Sequence, residues 1–380
     1  MEKKTPTLVL RDKETLGEVI DCLTEHLEIP MQGQCNQKTL FEILVHAASE
    51  GSSIEQTCKS LEDVPKGNAT RYHLDKLEDM ESLEQSLNEA LHSRLPSRIR
   101  GGKQKVAMDL NLLPYYGKPS EEEAPYIYHS QAKAGTCSFY AYATVYVIAK
   151  GKRVTIALHA VRRDETMVCI ITRLLDRIAD LNLTIKRLYL DRGFFSVPVI
   201  RWLHACDIPF VMPVIIRGKE HGTRRLLRCG RSYKTHYTMV SNHYGSVSFE
   251  VWVVGTYCQG KYGRHGVEYQ AYAVFKVSLR LRGLPDDYGK RFGIETSYRL
   301  KNHSRIRTTT KNPVVGLLYV GIAFLLVDLW VYLLWTVVSR PRKGARLLYV
   351  SFFTFKTMLR FLRQAIDRKH IVTKAVYLRE

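Results

Sequence analysis

The sequence predicts an α/β fold, a mixed sheet carrying a β-rich insertion, with an all-α domain in front of it. Three observations predict it. Between residues 14 and 90 the apolar positions recur at helical spacing, and from 104 onward short apolar runs read as strands. The charge changes at the same place: residues 1–93 carry 9 basic and 18 acidic side chains, and 94–380 carry the other 48 basic and 19 acidic. The elements after 104 run β-β-β-α-β-α-β, three strands as hairpins and then two added by helical crossovers. That order suits an RNase H-like mixed sheet, whereas a doubly wound fold alternates β and α from its start.

In the first 93 residues, Glu14–His26 and Gln37–Ser49 carry helical periodicity. Ile54–Leu61 and Asn68–Leu77 flank the turn Val64-Pro65-Lys66-Gly67, which suits a helix-turn-helix for recognising DNA ends, with Asn68–His73 opening its second helix. Residues 94–103 read as a basic linker. The catalytic core then begins, 104–213, with a strand around Lys105–Leu112. Phe139–Ile148 and Arg153–Ala160 follow as strands joined by the turn Ala149–Lys152, and Glu165–Ala179 as an amphipathic helix. Ile185–Leu190 is a short strand ending at Asp191. Ser196 is placed to cap a helix with Pro198 in its first turn, and Ile208–Pro213 is the fifth strand. Residues 214–280 form the insertion: a basic loop, Arg217–Lys234, then strands at Thr238–Val240, Ser246–Tyr257 and Glu268–Val277. Residues 281–362 return to helix, and 363–380 form a basic, peripheral tail.

Composition bounds the partners. Hydrophobic residues make up 45% and charged residues 25%, as in an ordinary globular protein, but the net charge is +20. Such a chain expects a polyanion, nucleic acid or an anionic membrane, met mainly by residues after 94. Eight cysteines without a C-x-x-C pair argue against a zinc ribbon. The opening Met1–Pro6 lacks the apolar core of a secretory signal, so a reduced, cytoplasmic protein is expected. Residues 312–338 are almost wholly apolar and long enough to cross a bilayer. A basic membrane-spanning protein is therefore an alternative reading. Asp328 is costly in mid-span, however, and a helix buried on all sides has the same composition.

Three acids stand out by position. Asp109 lies within an apolar strand between Met108 and Leu110, Asp191 ends another strand, and Glu295 lies on a helix. In an RNase H-like sheet the first strand is central and the fourth lies beside it. Acids on these two face each other, and a helix after the fifth strand can add a third. Clustered carboxylates repel one another until a cation joins them. Oxygen ligands of this kind suit two hard divalent ions ~4 Å apart around a phosphodiester, one activating the nucleophile and one stabilising the leaving oxygen. Tyr288, Arg291 and Glu295 share one helix face at i, i+3 and i+7; Arg291 and Glu295 also read as a plain intrahelical ion pair.

The segments Ala107-Met-Asp109-Leu, Leu188-Tyr-Leu-Asp191-Arg-Gly-Phe-Phe and Tyr288-x2-Arg291-x3-Glu295 together resemble the DDE transposases of prokaryotic insertion sequences. The group resembled carries its third acid in a Tyr-x2-Arg-x3-Glu-x6-Lys helix behind a β-rich insertion. The resemblance covers about 104–338. It implies that Asp109, Asp191 and Glu295 hold two Mg²⁺ or Mn²⁺ ions, and that Tyr288 and Arg291 contact the DNA backbone or position the Glu. It implies double-stranded DNA, transposon ends and target, as partner, a dimer in the reaction complex and no membrane. The family Lys falls at Asn302; Lys301 points about 100° away, leaving Arg299 or Arg305 as replacement cations. Arg224, Arg225, Arg228 and Arg231 of the basic loop suit DNA phosphates. Trp202 and Trp252 suit the core, and His129, His159 and His204 structural roles. An RNase H-like endonuclease that hydrolyses without joining fits the same residues.

Overall fold

A computed structural model describes residues 9–372 except 33–34, 97–98, 149–153, 220, 261–265, 344 and 371. The expected turn at 149–152 and the tail from 373 lie outside the described residues. Alternation along β1 (Lys103–Pro114) sends Val106 and Met108 into one core and Ala107 into another, so this strand is covered on both faces. It pairs antiparallel with β3 (Thr136–Val147) on one side and parallel with β5 (Thr184–Tyr189) on the other. Beyond β5 lies β6 (Phe210–Pro213), also parallel. The far edge of β3 is shared end to end by β2 (Ile127–Lys133) and β4 (Thr155–Ala160). The crossovers run through α6 (Met167–Arg177) and α7 (Val197–Ala205). The first strand is thus central and the first crossover strand lies beside it, which is the RNase H-like arrangement. Ser196 sits at the N-cap of α7, but its side chain makes no capping hydrogen bond.

The β-rich insertion joins the sheet. Its strands β7 (Tyr233–Ser241), β8 (Gly245–Cys258) and β9 (Gly266–Phe275) are not a separate layer. β9 pairs antiparallel with β6, from Phe210↔Phe275 to Pro213↔Tyr272, so the insertion extends the catalytic sheet to nine strands. An unpaired β6 would leave a row of backbone donors and acceptors open, and β9 satisfies them. β2 carries almost no periodicity, since only Ile127 of its residues is buried.

Among the described residues five helices precede the sheet: α1 (Asp12–His26), α2 (Gln37–Glu50), α3 (Ile54–Ser60), α4 (Gly67–Leu74) and α5 (Met80–Ser93). The α3–α4 connection, residues 61–66, is longer than the three- or four-residue turn of a helix-turn-helix. Asn68, Arg71 and Tyr72 of α4 are exposed, with Arg71 bonded to Glu55 at 3.1 Å. After the insertion come α8 (Leu284–Gly289), α9 (Gly293–His303) and α10 (Pro313–Thr336). The stretch expected to stay helical then contains a hairpin, β10 (Ser339–Arg342) with β11 (Ala345–Leu348), where Pro341 cannot donate within a helix. α11 (Phe355–Lys369) closes the described chain. Residues 363–369 are therefore helix rather than loose tail, and Met358, Leu362 and Ile366 are buried.

α10 explains the long apolar run. It is apolar and long enough to cross a membrane, and most of it is buried in the protein's own core. Leu318, Leu325 and Leu326 share one cluster with Val19, Leu23, Leu44 and Leu87 of the N-terminal helices and with Leu362 of α11. The approach to α5 is close: a Cβ on Gly321 would stand 2.5 Å from a Leu87 methyl. Asp328, the acid in the run, accepts a hydrogen bond from the Thr155 amide of β4 at 3.1 Å, and burial pushes its carboxyl well above the usual range.

The same helical body is tied to the sheet by charge. Glu84 of α5 meets His159 of β4 at 3.0 Å, and His159 meets Glu165 at 2.8 Å. Glu84 also accepts the Ala160 amide at 2.7 Å and pairs with Arg177 of α6 at 3.0 Å. Burial alone would lower the imidazole's pKa, but the two glutamates hold it up at about 9. Because this folded value exceeds the ordinary 6.5, the contribution is full below pH 6.5 and lost as pH rises through 9. His159→Ala, which leaves two buried carboxylates short of a partner, is expected to cost about 3 kcal/mol. Urea melts at pH 6 and pH 10 check this, the penalty shrinking at the higher pH.

Candidate active site

Three short segments bring the three acids together. Asp109 sits in β1 opposite Thr144 of β3. Asp191 follows the end of β5 and opens a short 3-10 turn, Arg192–Phe194. Glu295 lies in the first turn of α9. Asp287 of α8 fixes the third segment against the other two. Its buried carboxylate takes hydrogen bonds from Lys105, four residues before Asp109, and from Arg187 and Tyr189, four and two residues before Asp191. Lys290 adds a contact at 3.2 Å. Burial would raise this carboxyl, but Lys105, Tyr189, Arg187 and Lys290 together hold it well below the ordinary range.

Tyr288 completes the anchor. Its ring packs against Tyr189 and Tyr272, and its hydroxyl donates to the Leu190 carbonyl at 3.0 Å, one residue from Asp191. The side chain is buried and its hydroxyl is committed to that bond.

Arg291 stands at the centre. Its guanidinium lies 3.5 Å from Asp109, 3.7 Å from Asp191 and 3.7 Å from Glu295. The side chain is 7% exposed, against 18% for Asp109 and more than 40% for the other two acids. Burial pushes the Asp109 carboxyl up to about 6; Arg291 opposes this, and Asp191 and Glu295 add to it. Among the described residues no three His, Cys, Asp or Glu side chains stand close enough to hold a metal ion as placed. The acids are spread around a guanidinium instead. The donor set nonetheless fits a hard divalent cation, because it is all carboxylate oxygen and already faces one positive charge.

The surroundings sort the other expected residues. Asn302, Arg299 and Arg305 are exposed, Arg299 one helical turn beyond Glu295. Lys301 is turned inward, 1% exposed, with Nζ over the Phe324 ring. Burial and then Arg305 lower its pKa to about 7. A cleft of about 500 Å³ opens beside the acids, lined by Asp191, Tyr269, Tyr288, Arg291, Phe292 and, from the basic loop, Leu227. Arg224, Arg225, Arg228 and Arg231 are exposed on that loop, outside the cleft lining. Trp252 is buried. Sequence reasoning missed Asp287, Arg187 and Lys105. The available signal was weak: Arg187 follows Lys186 in a short strand, and only its burial sets it apart from that exposed neighbour.

An RNase H-like sheet whose first two parallel strands and a later helix pool three carboxylates defines a class, the RNase H-like proteins with an acid cluster at the sheet's centre. Residues 100–326 match the family described as "Transposase DDE domain", and the chain belongs to that family. It is an enzyme that acts on DNA, and its general function is DNA transposition. The fold is similar to that of a piggyBac transposase synaptic complex with hairpin DNA, seen by cryo-electron microscopy. The two share a TM-score of 0.55 and 11% identity over 94% of this chain and 78% of that one. Comparison with curated proteins gives no match.

Two variants test the electrostatics. Asp287→Ala leaves Arg187 buried without a counter-charge and should cost about 3–5 kcal/mol, read by chemical denaturation. Asp109 is the reverse case. Its folded pKa lies above the unfolded value of 3.8, so the native state binds more protons between pH 4 and 6. Stability falls as pH rises through that window, by roughly 3 kcal/mol. Asp109→Asn is therefore expected to raise the Tm of the metal-free protein at pH 7 and change it little at pH 4.

Proposed function

We propose that this chain catalyses metal-dependent strand cleavage and strand transfer of a prokaryotic insertion sequence, with Asp109, Asp191 and Glu295 as ligands for two Mg²⁺ or Mn²⁺ ions. The observation that carries the reading is the convergence of these three carboxylates, from β1, β5 and α9, on one cation. No packing need explains three acids pointed at one place, because their mutual repulsion raises the cost of ionising Asp109. Bound there, divalent ions would supply activation of a water or 3′-hydroxyl and neutralisation of the leaving oxygen.

The chain's own residues supply the rest. Asp287 and Tyr288 hold the Arg291–Glu295 segment in register with both strands. Arg299, Asn302 and Arg305, exposed beyond Glu295, are disposed to take phosphates of the strand being cut, with Arg299 or Arg305 in place of the family Lys. Arg224, Arg225, Arg228 and Arg231 extend the basic surface along the insertion. The N-terminal domain, residues 1–93, selects the transposon end, with the exposed Asn68, Arg71 and Tyr72 of α4 as its contacts. Pairing two ends calls for a dimer in the reaction complex, working on double-stranded DNA in the cytoplasm. The similar piggyBac transposase structure is a synaptic complex with hairpin DNA, which supports DNA as the partner here.

The test is cleavage and joining of end-containing DNA in Mg²⁺. Asp109→Asn, Asp191→Asn and Glu295→Gln are each expected to lower cleavage by about 10²–10³-fold, the scale on which loss of a major electrostatic contribution acts. Full activity in all three sinks the assignment. Hydrolysis without joined product in the same assay establishes the endonuclease reading instead.

A further inference from the structure

We propose that Arg291 is the internal counter-ion of the acid cluster: it fills the cation's place in the metal-free protein and yields it when a divalent ion binds. The proposal rests on the reading of Asp109, Asp191 and Glu295 as metal ligands. It goes beyond that reading by assigning Arg291 opposite effects on metal binding and on the order of the metal-free site.

Geometry carries it. One guanidinium faces all three carboxylates, at 3.5, 3.7 and 3.7 Å. Charge-assisted hydrogen bonds are about 2.7–2.9 Å long, so these contacts are long; only the donation from Arg291 to Asp109 counts as a hydrogen bond, a stretched one at 3.5 Å. Among the described residues Nε has no hydrogen-bond partner. The side chain is therefore held by the field of the acids rather than by a fixed set of bonds, and another cation can replace it. It is also nearly buried, so three acids around it are partly neutralised without solvent. Without Arg291 the metal-free protein would hold three like charges against one another.

Two aromatic rings offer the guanidinium an alternative seat. The guanidinium lies 5.5 Å from the ring of buried Tyr288 and 5.5 Å from that of exposed Phe292. These aromatic residues lead into the 500 Å³ cleft, which Arg291 itself lines. A side chain displaced from the carboxylates keeps cation–π contact while it moves toward the surface where a phosphodiester would lie. Cation competition in the apo state and phosphate pairing in the loaded state are thus two positions of one side chain.

A competitor at the site weakens metal binding, and its removal strengthens it. Mn²⁺ binding to the full chain without DNA, followed by electron paramagnetic resonance, reads this directly. Arg291→Gln is expected to bind Mn²⁺ at least ten-fold more tightly than wild type, and Arg291→Lys, which keeps the charge, to fall between the two. Because Arg291→Gln loosens the metal-free protein, a second readout runs beside it. The rise in Tm on adding Mn²⁺ should be larger in Arg291→Gln than in wild type. Equal or weaker binding by Arg291→Gln overturns the counter-ion role, while loss of binding in Asp109→Asn leaves the metal site standing. No Mn²⁺ binding by wild type and Arg291→Gln alike overturns the metal site, and the counter-ion role with it.

Discussion

Asp287 is the contact on which the site's geometry depends. One buried carboxylate bonds Lys105 on β1 and Arg187 and Tyr189 on β5, and so locks α8 and α9 across two parallel strands. Parallel pairing of β1 and β5 aligns the strands, from Lys103↔Thr184 to Ala107↔Tyr189. It does not by itself bring a residue from a segment nearly a hundred positions later to their ends. That needs an interaction strong enough to set the helix's position along the sheet, and a buried carboxylate with several donors provides one. The cost of desolvating Asp287 and Arg187 is offset only because each is paired, so the anchor tolerates little displacement.

A second dependence joins the two ends of the chain. α10 is buried almost all round because α5, α9, α11 and β4 pack on it, and this lets the N-terminal helices share a core with helices that follow the catalytic segment. The basic linker is part of this body at Arg94, which bonds Glu18 at 2.7 Å and Glu25 at 2.9 Å. The N-terminal helices are thus joined to the catalytic core by apolar contact and by ion pairs together.

The charge asymmetry of the sequence has two fates. Part of it is neutralised inside the protein: Lys369 pairs with Glu42, Arg363 with Glu50, Arg368 with Asp12, and His159 with Glu84. The acidic N-terminal helices thus serve as counter-charge to basic elements far along the chain. The remainder stays exposed, as at Arg224, Arg225, Arg228, Arg231, Arg299 and Arg305, and is available to a polyanion.

Local pattern alone determined much of this protein. Apolar periodicity and turn residues located β1, β3, β4, β5, β6 and the helices between them, and their order implied a sheet with the first strand central. Spacing put positions 288, 291 and 295 on one helix face, whereas the structure divides them among α8, a 3-10 turn at Lys290–Phe292 and α9. Helical geometry also set Lys301 off the Glu295 face, but only the packing of α10 shows that it is buried. Tertiary structure decided what periodicity cannot encode. The pairing of β9 with β6 depends on which edge is left open, and the hairpin at 339–348 interrupts a stretch that reads as helix by composition. The burial of 313–336 depends on neighbours from both ends of the chain. The role of Arg291 was hidden for the same reason. In sequence it is the partner of Glu295, one turn away, whereas in space Asp109 and Asp191 arrive from strands more than a hundred and eighty, and a hundred, residues upstream. Electrostatic environment is a sum over neighbours in space, so it is fixed only when the fold is.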